Sequence, residues 1–171
     1  MPNQIVFEVC VDSVDAAVAA ERGGARRVEL CSDLLEGGLT PSHGTIEVAR
    51  KRLGIKIMSM VRPRGGDFCY TEAEFDVMRH DAAAAKALGA DGIVLGLLNP
   101  DGTVDRHRTA ELMAIARPLP VTFHRAFDMT RDPFEALDTL IALGVDRVLT
   151  SGQEPTVLEG IDLIAALVER A

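Results

Sequence analysis

Gly24-Ala25-Arg26-Arg27-Val28, Gly89-Ala90-Asp91-Gly92-Ile93 and Gly144-Val145-Asp146-Arg147-Val148 are one motif written three times. In each, a glycine suited to a helix C-terminus is followed within a few residues by the apolar start of a strand. A recurring helix-to-strand joint implies a repeating strand–helix unit. Working outward, strands are expected over Ile5–Val11, Arg27–Cys31, Ile55–Val61, Gly92–Leu98, Val121–Ala126 and Arg147–Thr150. Ser13, Ser42, Asp105 and Asp132 precede the intervening helices as N-caps. Thr71 with Glu74 reads as a capping box, Asp132-Pro133 is followed by Glu135 as a second box, and Thr156 with Glu159 opens the last helix.

Six strand–helix units in series predict a parallel sheet. An open doubly wound sheet and a (β/α)8 barrel are the two candidate architectures. The first strand–loop lacks the Gly-x-Gly-x-x-Gly of a nucleotide fold. Polar residues fall instead at the expected C-terminal ends of strands, at Glu8, Glu29, Arg62, His124 and Ser151. Barrel sites are built at that face from many strands, so the pattern favours a barrel. A complete barrel takes about 250 residues and eight units. The expectation for these 171 residues is therefore an α/β fold, a TIM-type barrel truncated to about six units, forming one domain over 1–171 without a linker.

The composition is that of a globular protein, with 47% hydrophobic and 26% charged residues. A net charge of −8 argues against a nucleic-acid or anionic-membrane partner, both of which need a basic footprint. No apolar run approaches the roughly 20 residues of a membrane span. Met1-Pro2-Asn3-Gln4 shows neither the basic nor the apolar region of a signal peptide. The three cysteines lack Cys-x-x-Cys spacing and are expected to be free thiols in a reducing cytoplasm.

The chemistry concentrates in an echo: Phe7-Glu8-Val9-Cys10 is answered by Val28-Glu29-Leu30-Cys31. Alternation along a strand puts Glu8 with Cys10, and Glu29 with Cys31, on one face. If the strands are neighbours, two carboxylates and two thiols lie side by side. Soft thiolates select copper(I), and two on adjacent strands suit its two-coordinate geometry; the plainer reading is that both cysteines pack as small apolar residues. Glu8, Glu29, Arg62 and His124 share an expected address at the barrel mouth, as acid–base groups with His124 carrying protons. Alternatively they form an ion-pair network in which Arg62 neutralises the carboxylates. In Arg62-Pro63-Arg64-Gly65-Gly66-Asp67, Arg64 is a candidate anion ligand, or else the loop is a turn pinned by Asp67. Met58 and Met60 read as core, and Cys69 as a loop bystander.

Glu8-Val9-Cys10-Val11-Asp12-Ser13, Glu29-Leu30-Cys31-Ser32, Glu36-Gly37-Gly38-Leu39-Thr40-Pro41-Ser42, Arg62-Pro63-Arg64-Gly65-Gly66-Asp67-Phe68, Thr122-Phe123-His124-Arg125-Ala126-Phe127-Asp128 and Leu149-Thr150-Ser151-Gly152, in this order, resemble the CutC copper homeostasis family. The resemblance implies a TIM barrel, a cytoplasmic location, a homo-oligomer (dimer or tetramer) and a proposed copper(I) role. Cys10 and Cys31 match the family's proposed copper-binding cysteines. The family pattern continues with a seventh strand, a Pro-Gly-Gly-Gly-type loop and an eighth strand, none present here. The first and sixth strands are therefore expected as bare edges that invite pairing with another chain. The leading expectation is a cytosolic copper(I)-binding protein using Cys10 and Cys31. The alternative is a barrel enzyme acting on a small anionic, phosphorylated or sugar-like metabolite, with Glu8, Glu29, Arg62 and His124 catalytic and Arg64 holding the anion.

Overall fold

A computed structural model describes residues 5–171; the signal-peptide reading at Met1–Gln4 lies outside the described residues. Six strands form one sheet: β1 (Glu8–Val11), β2 (Arg27–Leu30), β3 (Lys56–Met60), β4 (Gly92–Leu95), β5 (Val121–Phe123) and β6 (Arg147–Val148). Every pairing is parallel, and spatial order follows chain order from β1 to β6. A doubly wound sheet must reverse its strand order at a switch point. This one never does, so it curves as six successive units of a (β/α)8 barrel. The helices are α1 (Val14–Arg22), α2 (His43–Arg52), α3 (Glu72–Ala87), α4 (Arg106–Ala116), α5 (Pro133–Leu143) and α6 (Ile161–Arg170).

Alternation along the strands divides the buried residues between two faces. Val28, Leu30, Ile57, Ile93, Leu95 and Phe123 join the main core with helix residues such as Ile46, Met78 and Leu112. Cys31, Met58, Met60 and Val94 form a smaller cluster of their own. Met58 and Met60 are thus core residues, at 1% and 3% exposure. β4 is buried along its whole length, the pattern of a parallel strand covered on both sides.

Local chemistry places the helices. Ser13, Ser42, Thr71, Asp105 and Asp132 all accept backbone N–H bonds as N-caps, and Thr71 with Glu74 closes a reciprocal box. Glu135 does not close the second box, because its carboxylate pairs with Arg131. Thr156 and Glu159 do bond reciprocally, but the regular helix begins two residues later, at Ile161. The strands are shorter than expected. β1 begins at Glu8 rather than Ile5, since its one partner, β2, begins at Arg27 opposite Glu8. β5 ends at Phe123, where His124 instead caps a short 3-10 turn over Arg125–Met129.

The recurring joint has a structural meaning beyond its glycine. Asp91 accepts hydrogen bonds from the backbone N–H of Ile57 and the Arg50 guanidinium. One repeat later, Asp146 does the same for Val121 N–H and Arg117. Each carboxylate ties the joint to the start of a neighbouring strand and the end of a neighbouring helix. Burial opposes ionisation of Asp146, but the bonds from Val121 and Arg117 outweigh it and hold the carboxyl below its ordinary 3.8. A depressed folded-state pKa contributes stability that is present above the unfolded value and lost as pH falls through the folded one. Asp146→Asn is expected to lower stability at pH 7 by about 1 kcal/mol, the low end for charge-assisted bonds because the pair is part-exposed. In urea melts across pH, the gap between variant and parent should close below about pH 4; a gap that persists there would assign the loss to packing.

Candidate functional site

The parallel register sets Cys10 opposite Glu29, and Cys31 follows two residues on, past the end of β2. Their side chains meet on the inner face. The two Sγ atoms are 3.7 Å apart, Cys10 Sγ lies 3.3 Å from Glu29 Oε1, and Cys31 Sγ lies 3.9 Å from the same oxygen. One potential ligand atom from each of the three residues lies within 4.8 Å of the others. Cys10 is exposed on the edge strand, whereas Glu29 and Cys31 are buried. Gly38 closes over Cys31 from the β2–α2 loop. A Cβ at that position would stand 3.0 Å from Cys31 Sγ, and its φ of +87° is one that side chains rarely adopt.

Burial pushes the Glu29 carboxyl above its ordinary value, against the hydrogen bonds from Cys10 and Cys31. The Cys31 thiol is pushed far above the usual thiol range, first by its hydrogen bond with Cys10, then by burial and by the charges of Cys10 and Glu29. Glu29 and Cys31 therefore both hold their protons more tightly than usual. A soft cation bound between them would favour their charged forms and release protons.

Glu8 is not part of this cluster. It is the first residue of β1, at the N-terminal end of the strand, and pairs with Arg27 two residues short of the Cys10–Glu29 register. Glu8 does share the strand alternation of Cys10, but two residues along a strand carry it about 7 Å away.

Arg62 and His124 do lie together. Both are buried and both line a cavity of about 60 Å3, with Glu29, Met60, Phe68 and Arg125. Arg62 does not neutralise a carboxylate. It donates to the carbonyls of Glu36, Gly38 and Gly66 at 2.6, 3.2 and 3.0 Å, holding two loops to the sheet. The Phe68 ring sits 5.0 Å from the Arg62 guanidinium and 5.0 Å from the His124 ring centroid, so it spaces the two groups. His124 Nδ1 accepts the Ala126 N–H at 3.1 Å, which leaves the proton of the neutral ring on Nε2. Gly96 makes room for this ring, since a Cβ there would lie 2.4 Å from His124 Cε1.

Arg64 is fully engaged elsewhere. Its Nε meets Glu74, Nη1 the carbonyls of Gly65 and Asp67, and Nη2 the Asp67 carboxylate and the Cys69 carbonyl. These five bonds match the five protons of a guanidinium, so none is left for an anion. The turn reading of this loop describes it, with Glu74 as an additional partner.

Sequence reading passed over Asp128. Its side chain is 6% exposed and pairs with Arg125. It also accepts from Thr150, Ser151 N–H and Gln153 N–H, which binds the β5 and β6 loops into one wall. Burial opposes its ionisation, but these bonds prevail and hold its pKa below the ordinary value. The signal was present in His124-Arg125-Ala126-Phe127-Asp128, but only the fold brings Ser151 to it.

Fold and site together define a partial (β/α)8 barrel carrying a dithiol–carboxylate cluster on its inner face. The chain belongs to the CutC family, whose sequence profile it matches over residues 5–171. It is 56% identical over 169 residues to the human "Copper homeostasis protein cutC homolog", covering 99% of this chain and 62% of the relative. A CutC family protein of Chromobacterium violaceum is 52% identical over 166 residues, covering 97% and 67%. The chain thus spans less than two thirds of the human and mouse relatives. A crystal structure of a CutC protein from Streptococcus agalactiae superposes with a TM-score of 0.92 at 36% identity, covering 97% of this chain and 82% of that one. An archaeal fructose 1,6-bisphosphate aldolase shares the fold at a TM-score of 0.58 and 17% identity, covering 92% and 61%. Among the described residues no helix is long and apolar enough to cross a membrane.

Burial, with the Arg62 charge second, depresses His124 from 6.5 to about 3. The unfolded chain binds a proton near 6.5 that the folded imidazole refuses until about 3, so this residue's share of stability falls as pH drops through that window. Ring 15N shifts followed by NMR should stay those of a neutral imidazole with the proton on Nε2 down to pH 5. His124→Gln should flatten the acid side of the stability profile between pH 6 and 4. An imidazolium signal at pH 6 in the folded parent would overturn the assignment.

Proposed function

We propose that this chain binds copper(I) through Cys10 and Cys31, as part of a cytoplasmic protein of copper homeostasis. The observation that carries the reading is the 3.7 Å separation of the two sulfurs, with the Glu29 oxygen beside both. Metal–thiolate bonds of about 2.3 Å that span this gap enclose an angle of roughly 110°. Linear two-coordination would hold the sulfurs about 4.6 Å apart. The spacing therefore favours a bent arrangement with Glu29 as third donor. Thiolate donors favour copper(I) over harder ions. The printed names of the human and mouse relatives point the same way. Assembly with further copies belongs to the same reading.

A second reading, enzymatic action on a small anionic metabolite, keeps three of its residues. Glu29, Arg62 and His124 line one cavity, and Glu29 with its raised pKa suits acid–base work. Glu8 and Arg64 have no part in it.

Anaerobic copper(I) titration against a chromophoric competitor tests the first reading. The parent should bind one equivalent. Cys10→Ala and Cys31→Ala should each weaken it at least 100-fold, and Glu29→Gln about 10-fold, on the scale of an ion's lost donor. Binding unchanged in both cysteine variants would return the thiols to a packing role. A full effect of the cysteines with none from Glu29→Gln would remove the carboxylate from the donor set.

A further inference from the structure

The cavity beside the dithiol cluster holds hydrogen-bond donors that the protein does not match. Arg62 is 6% exposed and His124 3%. Arg62 Nε and His124 Nε2 are both buried without a hydrogen-bond partner. The Arg62 charge is also unmatched: among the described residues no carboxylate oxygen lies within 4.0 Å of its nitrogens, and its hydrogen bonds go to three neutral carbonyls. A buried guanidinium without a counter-charge costs several kcal/mol. A buried imidazole N–H without an acceptor adds the cost of an unmade hydrogen bond. The Tyr70 hydroxyl stands close enough to the Arg62 guanidinium to feel its charge, but burial pushes its pKa up to about 12, so it stays neutral and brings no counter-charge.

The donors and the space around them define the ligand. Arg62 is the lining's one cation without a carboxylate partner, because the rim arginine, Arg125, is already paired with Asp128; Glu29 is the one acidic group in the lining. One charge balances a monoanion better than a phosphate dianion. Arg62 has two N–H protons left, on Nε and Nη2, and His124 has one on Nε2, which suits two acceptor oxygens. A cavity of about 60 Å3 admits a planar head group and leaves the remainder of a molecule at the rim. Phe68, held against both rings, is the apolar wall for such a plane.

We propose that this cavity binds the carboxylate of a small monocarboxylic acid, one oxygen accepting from Arg62 and the other from the Nε2–H of His124. Glu29 lines the same cavity and also touches both thiols, so the bound acid lies next to the copper-binding cluster without sharing its sulfurs. The site does not depend on the copper reading. It moves anion recognition from Arg64, whose protons are all engaged, to Arg62.

The test uses metal-free chain labelled with 15N-histidine, at constant ionic strength. Pyruvate, lactate and acetate are titrated in one arm, inorganic phosphate and sulfate in the other. The expected result is a saturable one-site shift of the His124 Nε2–H resonance with a carboxylate, with phosphate and sulfate at least 10-fold weaker. His124→Leu should weaken carboxylate binding, read by calorimetry, at least 10-fold. His124→Gln, which restores an N–H donor, should recover most of it, which separates recognition from a folding defect. Arg62→Lys keeps the charge but loses the fork and should weaken binding several-fold. No shift with any carboxylate, phosphate or sulfate binding as tightly, or affinity unchanged in His124→Leu would each overturn the proposal. Because no metal is present, failure here leaves the copper titration standing, and the reverse holds as well.

Discussion

Desolvation of ionisable groups on the inner face of the sheet is the constraint around which this molecule is arranged. Glu29, Arg62 and His124 are all nearly inaccessible, yet none forms an ion pair within the protein among the described residues. Each is stabilised by a different route. Glu29 is pushed toward its neutral form and shares its oxygen with two thiols. His124 stays neutral by burial and is oriented by the Ala126 N–H. Arg62 keeps its charge and disperses it over three carbonyls and the Phe68 face. Structural ion pairs in the same protein are handled otherwise: Arg64 with Glu74 and Asp67, and Asp128 with Arg125, match their charges fully.

The repeated joint explains how so open a sheet is held in register. Asp91 and Asp146 occupy equivalent places and make equivalent bonds to a strand N–H and a neighbouring arginine. In the first repeat the position is Arg26, which keeps only the backbone bond shared by all three joints, its N–H donating to the Phe7 carbonyl as those of Asp91 and Asp146 donate to Ile57 and Val121. Register along β1, β2 and β3 sets which side chains meet on the inner face. A slip of one residue would turn Cys10 away from Glu29 and break the cluster.

Much of the architecture was legible in the chain. Glycine C-caps, serine, threonine and aspartate N-caps and apolar strand starts act over a few residues, so they read correctly without the fold. The misreadings fall where a distant partner decides. β1 begins late because β2 begins only at Arg27, opposite Glu8, and Phe7 keeps a single bond, from the Arg26 N–H. His124 leaves its strand because its own ring caps the following turn. Glu135 forgoes its capping box for Arg131. The face shared by Glu29 and Cys31 followed from period-two alternation, whereas the meeting of Cys10 with Glu29 and the position of Glu8 along the strand axis did not, since alternation carries no information about register or depth.

The sequence by itself determined the strand–helix repeat, the parallel sheet and the common face of Glu29 and Cys31, because these follow from local sterics, capping and alternation. Only the tertiary structure decided which charged groups are matched. Arg62 and Arg64 are two residues apart in one loop, yet Arg64 is clamped by two carboxylates whereas Arg62 bonds only to neutral carbonyls. Asp128 gains its role only when Ser151 and Gln153 arrive from the next unit. Charge matching depends on distances of a few ångströms between residues far apart in the chain, and those distances exist only once the helices have packed.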